Sequence, residues 1–151
     1  MSLIRKANVT DVKNIQKLIN FYAKRREMLP RSLNELYENI RDFTVYAEGR
    51  NVYGCAALHV DWEDLAEIKS LAVARSRKGR GIGKKLMEQC LKEAKALKVK
   101  KIFALTYVPE FFATFGFKVV DKKELPHKIW SECIKCVYFT NCEEIATMRE
   151  L

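Results

Sequence analysis

A basic, glycine-rich turn, Lys78-Gly-Arg-Gly-Ile-Gly83, follows an apolar, β-prone run that ends at Val73 and precedes an amphipathic segment. This order predicts a strand, a turn and then a helix, whose N-terminus offers unpaired N–H groups and a positive dipole end to an anion. The three glycines allow the backbone to approach a ligand closely and to take positive φ. Six cations crowd the same stretch: Arg75, Arg77, Lys78, Arg80, Lys84 and Lys85. We therefore predict that a phosphate-rich ligand binds at this turn.

The spacing of the glycines separates this turn from two common nucleotide-binding motifs. A P-loop needs Gly-x4-Gly-Lys-Ser/Thr, but Lys84 follows Gly83 here with no hydroxyl residue after it. The dinucleotide fingerprint is Gly-x-Gly-x-x-Gly, whereas this turn reads Gly-x-Gly-x-Gly in mid-chain, after several apparently antiparallel strands. Taken alone, the glycine pattern is also compatible with a plain structural turn, so the surrounding segments decide its interpretation.

The turn and the helix after it resemble the signature of the GNAT acetyltransferases, Gln/Arg-x-x-Gly-x-Gly/Ala at the start of a long helix, with Lys78 in the Gln/Arg position. In that family the turn binds the pyrophosphate of acetyl-CoA through backbone amides. The strand before it holds the pantetheine arm and polarises the acetyl carbonyl. The resemblance therefore implies that acetyl-CoA is the cosubstrate. It implies the following cofactor-binding residues: Leu71, Ala72, Val73, Lys78, Gly79, Arg80, Gly81, Ile82, Gly83 and Lys84.

Three further segments narrow this resemblance. They are Gly54-Cys-Ala-Ala-Leu-His59, residues 64–73 and Leu29-Pro-Arg-Ser-Leu33, and they are similar to short bacterial amino-acid N-acetyltransferases. Those enzymes resemble the acetyltransferase domain of N-acetylglutamate synthase. The resemblance covers nearly the whole chain and implies one acetyltransferase domain over residues 1–151. Longer synthases carry an amino-acid-kinase-like domain associated with arginine feedback, which the sequence lacks, so feedback by arginine stays open.

Transfer of an acetyl group from a thioester to an amine requires a neutral amine, a polarised carbonyl and a proton for the leaving thiolate. The sequence has no evident Ser-His-Asp arrangement or nucleophile elbow, which fits direct attack. Glu67 lies on the strand ahead of the turn, where the resemblance implies an acid beside the acceptor amine. We predict that Glu67 is the base, directly or through one water, because an α-amino group with a pKa of about 8, or about 9–10 in a free amino acid, needs only modest help. The alternative is a cross-strand salt bridge.

The proton donor for the thiolate is less clearly indicated. Many GNAT enzymes have Tyr four residues before the glycine of a Gly-Phe pair, but this chain has Phe112 at that distance from Gly116. Tyr107, at the end of the preceding strand, is the candidate acid, although a packed tyrosine is an equal alternative. Thr106 is a candidate for hydrogen bonding to the sulfur or the substrate, and water could also protonate the thiolate.

Basic residues indicate the class of acceptor. Arg31, in the Leu-Pro-Arg-Ser-Leu loop, suits bidentate binding of a carboxylate. Lys69 follows Glu67 by two residues, hence lies on the same strand face, and could supply a second cation. We predict an N-acetyltransferase that acts on the α-amino group of L-glutamate, the entry to arginine biosynthesis. L-Glutamine is the close alternative, because it keeps the α-carboxylate.

Two other functions stay open. One is a GNAT enzyme that acetylates a protein, peptide or polyamine amine, although a cationic acceptor would favour acidic loops and residues 24–31 are strongly basic. The other is a CoA-binding regulatory domain without turnover, which Phe112 in place of the usual phenol would support. His59 and His127 are interpreted as structural.

Composition bounds these functions. The chain has 151 residues, of which 48% are hydrophobic, and a net charge of +9. No apolar run approaches the roughly 20 residues of a membrane span, and no signal-peptide pattern is evident, so we expect a cytoplasmic protein without a membrane partner. The charge fits an anionic cofactor, and no nucleic-acid-binding motif accompanies it, so we expect no nucleic-acid partner. A homodimer through an exposed strand edge or the cysteine-rich tail stays open.

The chain has five cysteines, an odd number that argues against a complete disulfide framework. Cys55 and Cys90 fall in apolar patterns and are predicted to be buried. The tail cluster could supply zinc ligands but does not match a common zinc module, so no metal site is predicted. That cluster consists of His127, Cys133, Cys136 and Cys142.

Periodicity and turn residues predict the elements that position these groups. Helices are expected from Thr10-Asp11, from Ser32, after Gly83 and from Pro109. The apolar face of the long helix is expected to contain Leu86, Met87, Cys90, Leu91, Ala94 and Leu97. Strands are expected near residue 4, at 43–48, 52–60, 65–73 and 101–107, after residue 117 and near 144–149. The expected fold is α/β (α+β), a central mixed, mostly antiparallel sheet flanked by helices.

Overall fold

The computed structural model describes residues 2–125 and 144–151. Its strands are β1 (Ser2–Lys6), β2 (Phe43–Glu48), β3 (Asn51–Trp62), β4 (Leu65–Val73), β5 (Lys101–Thr106), β6 (Lys118–Val119) and β7 (Ile145–Glu150). Its helices are α1 (Val12–Ala23), α2 (Leu33–Glu38), α3 (Ile82–Ala96) and α4 (Pro109–Ala113). The strands form one sheet in the order β1-β2-β3-β4-β5-β7-β6. The predicted mixed, mostly antiparallel sheet flanked by helices is confirmed.

The pairing of β4 with β5 decides where the sheet opens. These two strands run parallel, and their register covers Leu65↔Lys101, Ala66↔Ile102 and Glu67↔Phe103. Beyond this point β4 continues to Val73 and β5 to Thr106 without further paired residues between them. The two strands therefore diverge after Glu67 and leave a gap in the middle of the sheet.

A bulge interrupts β4 within the same stretch. The register with β3 passes from Ala57↔Lys69 to Cys55↔Ala72, so β4 has one residue more than β3 between these pairs. Ser70 lies in the bulge with φ +57, an unusual value for a residue other than glycine. Because the bulge bends the strand, it re-aims the residues between Lys69 and Val73 relative to the rest of the sheet.

Helices cover both faces of the sheet. On one face α3 buries Leu86, Met87 and Cys90 against a cluster that includes Leu58 and Ile68. Gly54 permits this close packing, because a Cβ at that position would lie 3.1 Å from both Ile82 Cγ2 and Leu86 Cδ1. On the other face α1 buries an apolar cluster with β2, β3 and β4. That cluster includes the predicted helical face Val12, Ile15, Leu18, Ile19 and Tyr22.

The structure bears on two predicted helix boundaries. Helix α1 begins at Val12 with Asp11 as its N-cap residue, as predicted from Thr10-Asp11. A turn of 3-10 helix, Val9–Asp11, precedes it, and Asn8 caps that turn by accepting from the Thr10 N–H. Leu97 was predicted to lie on the apolar face of α3, but the helix ends at Ala96 and Leu97 is 54% exposed.

Ser32 caps α2 as predicted, and Cys55 and Cys90 are buried as predicted. The predicted cluster of His127, Cys133, Cys136 and Cys142 lies outside the described residues. Among residues 2–125 and 144–151, none of the helices combines the length and the apolar character that a membrane span needs.

Candidate active site

A cleft of about 310 Å³ opens where β4 and β5 diverge. It is lined by the strand ends, by the connector between α1 and α2, and by the loop after β5. The predicted catalytic and acceptor-binding residues all line this one cleft: Arg31, Glu67, Lys69, Thr106 and Tyr107. Among the predicted cofactor-binding residues, Leu71, Ala72, Val73 and Lys78 line it as well. The five predicted catalytic and acceptor-binding residues, which come from three separate segments of the chain, thus lie around one cleft.

Glu67 is one of the residues that line the cleft. It is the last residue of β4 that pairs with β5, and it is 7% exposed. Its register partner on β3 is His59. A buried carboxylate at the point where two strands separate can face an amine that enters the gap, which fits the role of base predicted from the sequence.

Arg31 and Lys69 provide the positive charge of the acceptor part of the cleft. Arg31 Nη1 lies 3.3 Å from Glu35 Oε2, one turn along the chain. Its Nε is buried and has no hydrogen-bond partner among the described residues. A buried guanidinium N–H group that lacks an acceptor destabilises the folded protein, and a substrate carboxylate would supply that acceptor. Lys69 is half-buried and lies on the strand face of Glu67.

The candidate proton donors lie at the end of β5. The hydroxyl Oγ1 of buried Thr106 accepts a hydrogen bond from the N–H of Val108 at 2.9 Å. This bond does not use the hydroxyl proton of Thr106, which could be donated to a ligand. Tyr107 follows directly and lines the cleft. Phe112 also lines the cleft, but its ring packs edge-on against Phe111 and Phe117 and offers no proton.

The turn Lys78–Gly83, which we call the donor turn, presents its backbone rather than its side chains. Gly79 and Gly81 take φ +81 and +76 and have open space around the Cβ position. Gly81 precedes α3 and supplies no side-chain cap, so no N-cap side chain occupies the first N–H groups of this 15-residue helix. Residues 78–81 are exposed. This arrangement fits the pyrophosphate of acetyl-CoA.

The structure reveals three contacts, made by Tyr22 and Cys55, that the sequence patterns did not indicate. The hydroxyl of Tyr22 donates a hydrogen bond to the carbonyl of Val73, and Lys78 Nζ lies 4.9 Å from the centre of the same ring. The Cys55 thiol donates to the carbonyl of Ser70 in the β4 bulge at 3.2 Å. Burial raises the pKa of this thiol to about 12, so it stays protonated. Helical and strand periodicity placed both residues in the core, but it carries no information about their distant polar partners.

Comparison with known proteins decides the family. The family model described as acetyltransferase (GNAT) family matches residues 9–117. The chain belongs to the GNAT family. The membership confirms the predicted enzyme class, an acyltransferase, and the predicted cosubstrate acetyl-CoA. The roles of individual residues in this GNAT enzyme stay predictions.

Individual relatives extend the likeness over nearly the whole chain. An uncharacterised N-acetyltransferase of Chlorobaculum tepidum is 36% identical over 148 residues, covering 98% of this chain and 96% of the relative. An amino-acid acetyltransferase of Mycobacterium tuberculosis is 36% identical over 134 residues, covering 86% of this chain and 76% of the relative.

One of the similar solved structures matches all 151 residues of this chain. It is the N-acetylglutamate synthase of Neisseria gonorrhoeae complexed with coenzyme A and N-acetyl-glutamate. The TM-score is 0.90 at 28% identity, and the match covers 100% of this chain but 35% of the synthase. The likeness therefore concerns one part of a longer protein.

Proposed function

We propose that this enzyme transfers the acetyl group of acetyl-CoA to the α-amino group of an amino acid, and that L-glutamate is its preferred acceptor. The product would be N-acetylglutamate, which enters arginine biosynthesis. The observation that supports this proposal is the cleft in which Arg31 and Lys69 lie together with Glu67. Relatives named amino-acid acetyltransferase and the similar N-acetylglutamate synthase support it independently.

The acceptor site would bind two carboxylates and leave the amine free. Arg31 has a buried Nε that needs an acceptor, and a guanidinium can bind a carboxylate through two parallel hydrogen bonds. Lys69 would hold the second carboxylate as a point charge. In this arrangement the α-amino group is directed toward Glu67, which lies two residues from Lys69 on the same strand.

In the proposed reaction, Glu67 accepts the proton that the acceptor amine must lose, directly or through one water. Acetyl-CoA, when bound, supplies the thioester that the neutral amine attacks, so that a C–N bond forms and the C–S bond breaks. Backbone N–H groups in the bulged part of β4, near Leu71, stabilise the negative charge that develops on the carbonyl oxygen. Tyr107 protonates the leaving thiolate, and Thr106 holds a hydrogen-bonding group beside it.

One observation favours L-glutamine as a second candidate acceptor. Besides Glu67, the cleft is lined by two more carboxylates, Glu27 and Glu144, and Glu144 is buried. A carboxylate near the distal group of the substrate would repel glutamate and would accept a hydrogen bond from the amide of glutamine. The choice between the two acceptors therefore depends on which of these charges the distal group meets.

Turnover with a panel of acceptors tests the proposal. The panel contains glutamate, glutamine, other amino acids, a polyamine and a lysine peptide, and products are identified by mass spectrometry, because five protein thiols would react with a thiol reagent. We expect glutamate to be acetylated well above the others. Preference for glutamine would overturn the distal-carboxylate argument alone. Turnover of only the peptide or polyamine would overturn the amino-acid acceptor.

We also propose a cytoplasmic location, where the buried thiols of Cys55 and Cys90 would stay reduced. A homodimer is compatible with this proposal but not required by it. Sedimentation of the purified enzyme would decide the oligomeric state.

A further inference from the structure

Arg77 was expected among the cations that surround the bound phosphates, but its guanidinium is already engaged by the protein. Its Nε lies 2.8 Å from Glu48 Oε2, and its Nη2 lies 3.0 Å from Glu48 Oε1. Its Nη1 donates to Ser76 Oγ at 3.2 Å. The guanidinium carbon lies 4.0 Å from the centre of the Tyr53 ring. Each nitrogen and one face of the group thus has a protein partner.

The partners of Arg77 lie on a different part of the chain from the donor turn. Glu48 is the last residue of β2 and Tyr53 lies near the start of β3, so both belong to the β2–β3 hairpin. Arg77 itself ends a single turn of 3-10 helix, Arg75–Arg77, directly before Lys78. The ion pair therefore ties the entrance of the donor turn to the hairpin.

The donor turn has few other attachments. From position 75 to position 81, Arg77 is the one residue that is not exposed. The next buried residue is Ile82, the first of α3. Gly79 and Gly81 have no neighbouring atoms within 4 Å of a Cβ position. The turn thus contacts the rest of the chain near its two ends, through Lys78 against the Tyr22 ring and through Gly83 against Phe111, whereas Gly79 and Gly81 have no such neighbours.

We infer that Arg77 is a positioning residue, which fixes the donor turn through Glu48 and Tyr53 and does not bind the phosphates of acetyl-CoA itself. The inference rests on the acetyl-CoA dependence of the family and not on the identity of the acceptor. A turn held in one conformation keeps its N–H groups aligned for the anion before it binds, so less ordering accompanies binding.

A charge effect and a positioning effect predict opposite changes in the affinity for CoA when the charge of Glu48 is removed. The hydrogen bonds from Arg77 lower the pKa of the Glu48 carboxyl, so Glu48 is an anion at neutral pH. By charge alone, removal of this anion from the neighbourhood of the donor turn should strengthen binding of a polyphosphate. If the ion pair positions the turn, removal of the same anion should weaken binding.

The test is the Kd for CoA, measured by calorimetry, for Glu48→Gln, Arg77→Met, Arg77→Lys and the double variant Glu48→Gln/Arg77→Met. We expect each variant to bind CoA about 5-fold more weakly, and the double variant to be no worse than Arg77→Met, as for partners in one interaction. Arg77→Lys should resemble Arg77→Met, because an ammonium cannot form the bidentate pair. The kcat at saturating acetyl-CoA should stay unchanged, while the KM for acetyl-CoA rises.

Two outcomes would overturn the inference. One is a Glu48→Gln variant that binds CoA as tightly as the wild type or more tightly. The other is an Arg77→Lys variant with wild-type affinity, which would indicate a simple charge contact with phosphate. Thermal unfolding of each variant reports loss of fold separately. CoA binding is measured without an acceptor, so a wrong acceptor assignment leaves this result intact.

Discussion

The donor side of the cleft comes from one contiguous segment, whereas the acceptor side collects side chains from three separate ones. The donor turn, Lys78–Gly83, is proposed to bind through backbone N–H groups at the start of α3. The acceptor side takes Arg31 from the connector before α2, Glu67 and Lys69 from β4, and Tyr107 from the loop after β5. Backbone recognition tolerates many side chains, while the acceptor side depends on individual ones. Substitutions should therefore affect the two sides in different ways.

The largest expected effect is that of Glu67→Gln. The amide has nearly the same shape but cannot accept the proton of the amine, so we expect kcat to fall about 100-fold or more. The Kd for CoA should stay unchanged, because Glu67 lies on the acceptor side. Steady-state kinetics and CoA calorimetry on the same preparation measure both quantities. A variant with normal turnover would leave Glu67 as a structural residue of β4.

The second prediction concerns Arg31→Lys. The charge is kept but the bidentate geometry is lost, so we expect the KM for glutamate to rise about 10-fold with little change in the KM for acetyl-CoA. Arg25→Lys is the matched control: Arg25 lies in the same connector but packs over the Phe21 ring at 4.7 Å instead of lining the cleft. Equal effects of the two variants would contradict a specific role of Arg31.

These two sides differ in how far the sequence predicts them. The donor turn was predicted residue by residue, because its glycines, its cations and the amphipathic helix after it are neighbours in the chain. A local sequence pattern is therefore sufficient to predict such a turn. The strands β4 and β5 were predicted as well, but the point at which they separate was not. Register between strands depends on pairings distant in sequence, and the divergence after Glu67 is visible only in three dimensions.

Polar contacts made by core residues could not be predicted from local sequence patterns either. The spacing of Tyr22 on α1 indicates which face it occupies, yet no local pattern reveals that its hydroxyl reaches Val73. Cys55 reads as one more apolar strand residue, although its thiol meets the bulge carbonyl of Ser70. The partner of Arg77 was missed for the same reason: a cation near a phosphate turn suggests the ligand, whereas Glu48, with which it pairs, lies far away in sequence.

Strand β4 contributes residues to both the donor side and the acceptor side, and Cys55 on β3 supports its bulge through Ser70. The substitution Cys55→Ala should therefore affect both sides. Without the thiol the Ser70 carbonyl loses its donor, and we expect the free energy of unfolding to fall by about 1 kcal/mol more than in Cys90→Ala. Cys90 is an equally buried thiol on α3 without a hydrogen bond among the described residues, so its variant reports the loss of the sulfur alone.

Kinetics of the same variants test whether the bulge matters for function. We expect Cys55→Ala to lower kcat and to raise both KM values, and Cys55→Ser to restore them in part, because a hydroxyl can donate to the same carbonyl. Cys90→Ala should leave kcat unchanged. Wild-type kinetics for Cys55→Ala would show that the bulge keeps its conformation without this hydrogen bond.

A smaller effect is expected for Tyr22→Phe, which acts on the donor side alone. The variant removes the hydrogen bond to Val73 but keeps the ring beneath Lys78, so we expect a loss of about 1 kcal/mol in the free energy of unfolding and a small rise in the KM for acetyl-CoA. Tyr22→Leu also removes the ring and should raise this KM further. If the two variants bind acetyl-CoA equally well, the contact between Lys78 and the ring does not contribute to binding.

The smallest effect concerns the pair of His59 and Asp42, beside the acceptor side. Their Nδ1 and Oδ2 atoms lie 2.6 Å apart, and the hydrogen bond raises the pKa of His59, while burial and Lys69 act in the opposite direction. A raised pKa in the folded state means that the pair stabilises the protein fully below about pH 6.5. This contribution is lost as pH rises through the pKa of the folded state.

Comparison of the wild type with Asp42→Asn in denaturant unfolding should show this dependence. We expect the wild type to be more stable by less than about 1 kcal/mol at pH 6, and this difference to shrink at pH 8.5. His59 is also the register partner of Glu67, so kcat with glutamate is measured on the same variant. An unchanged kcat would mean that the pair of His59 and Asp42 only stabilises β3. A lowered kcat would mean that the charge state of His59 influences Glu67 on the neighbouring strand. In that case residues outside the cleft would also contribute to the acceptor side.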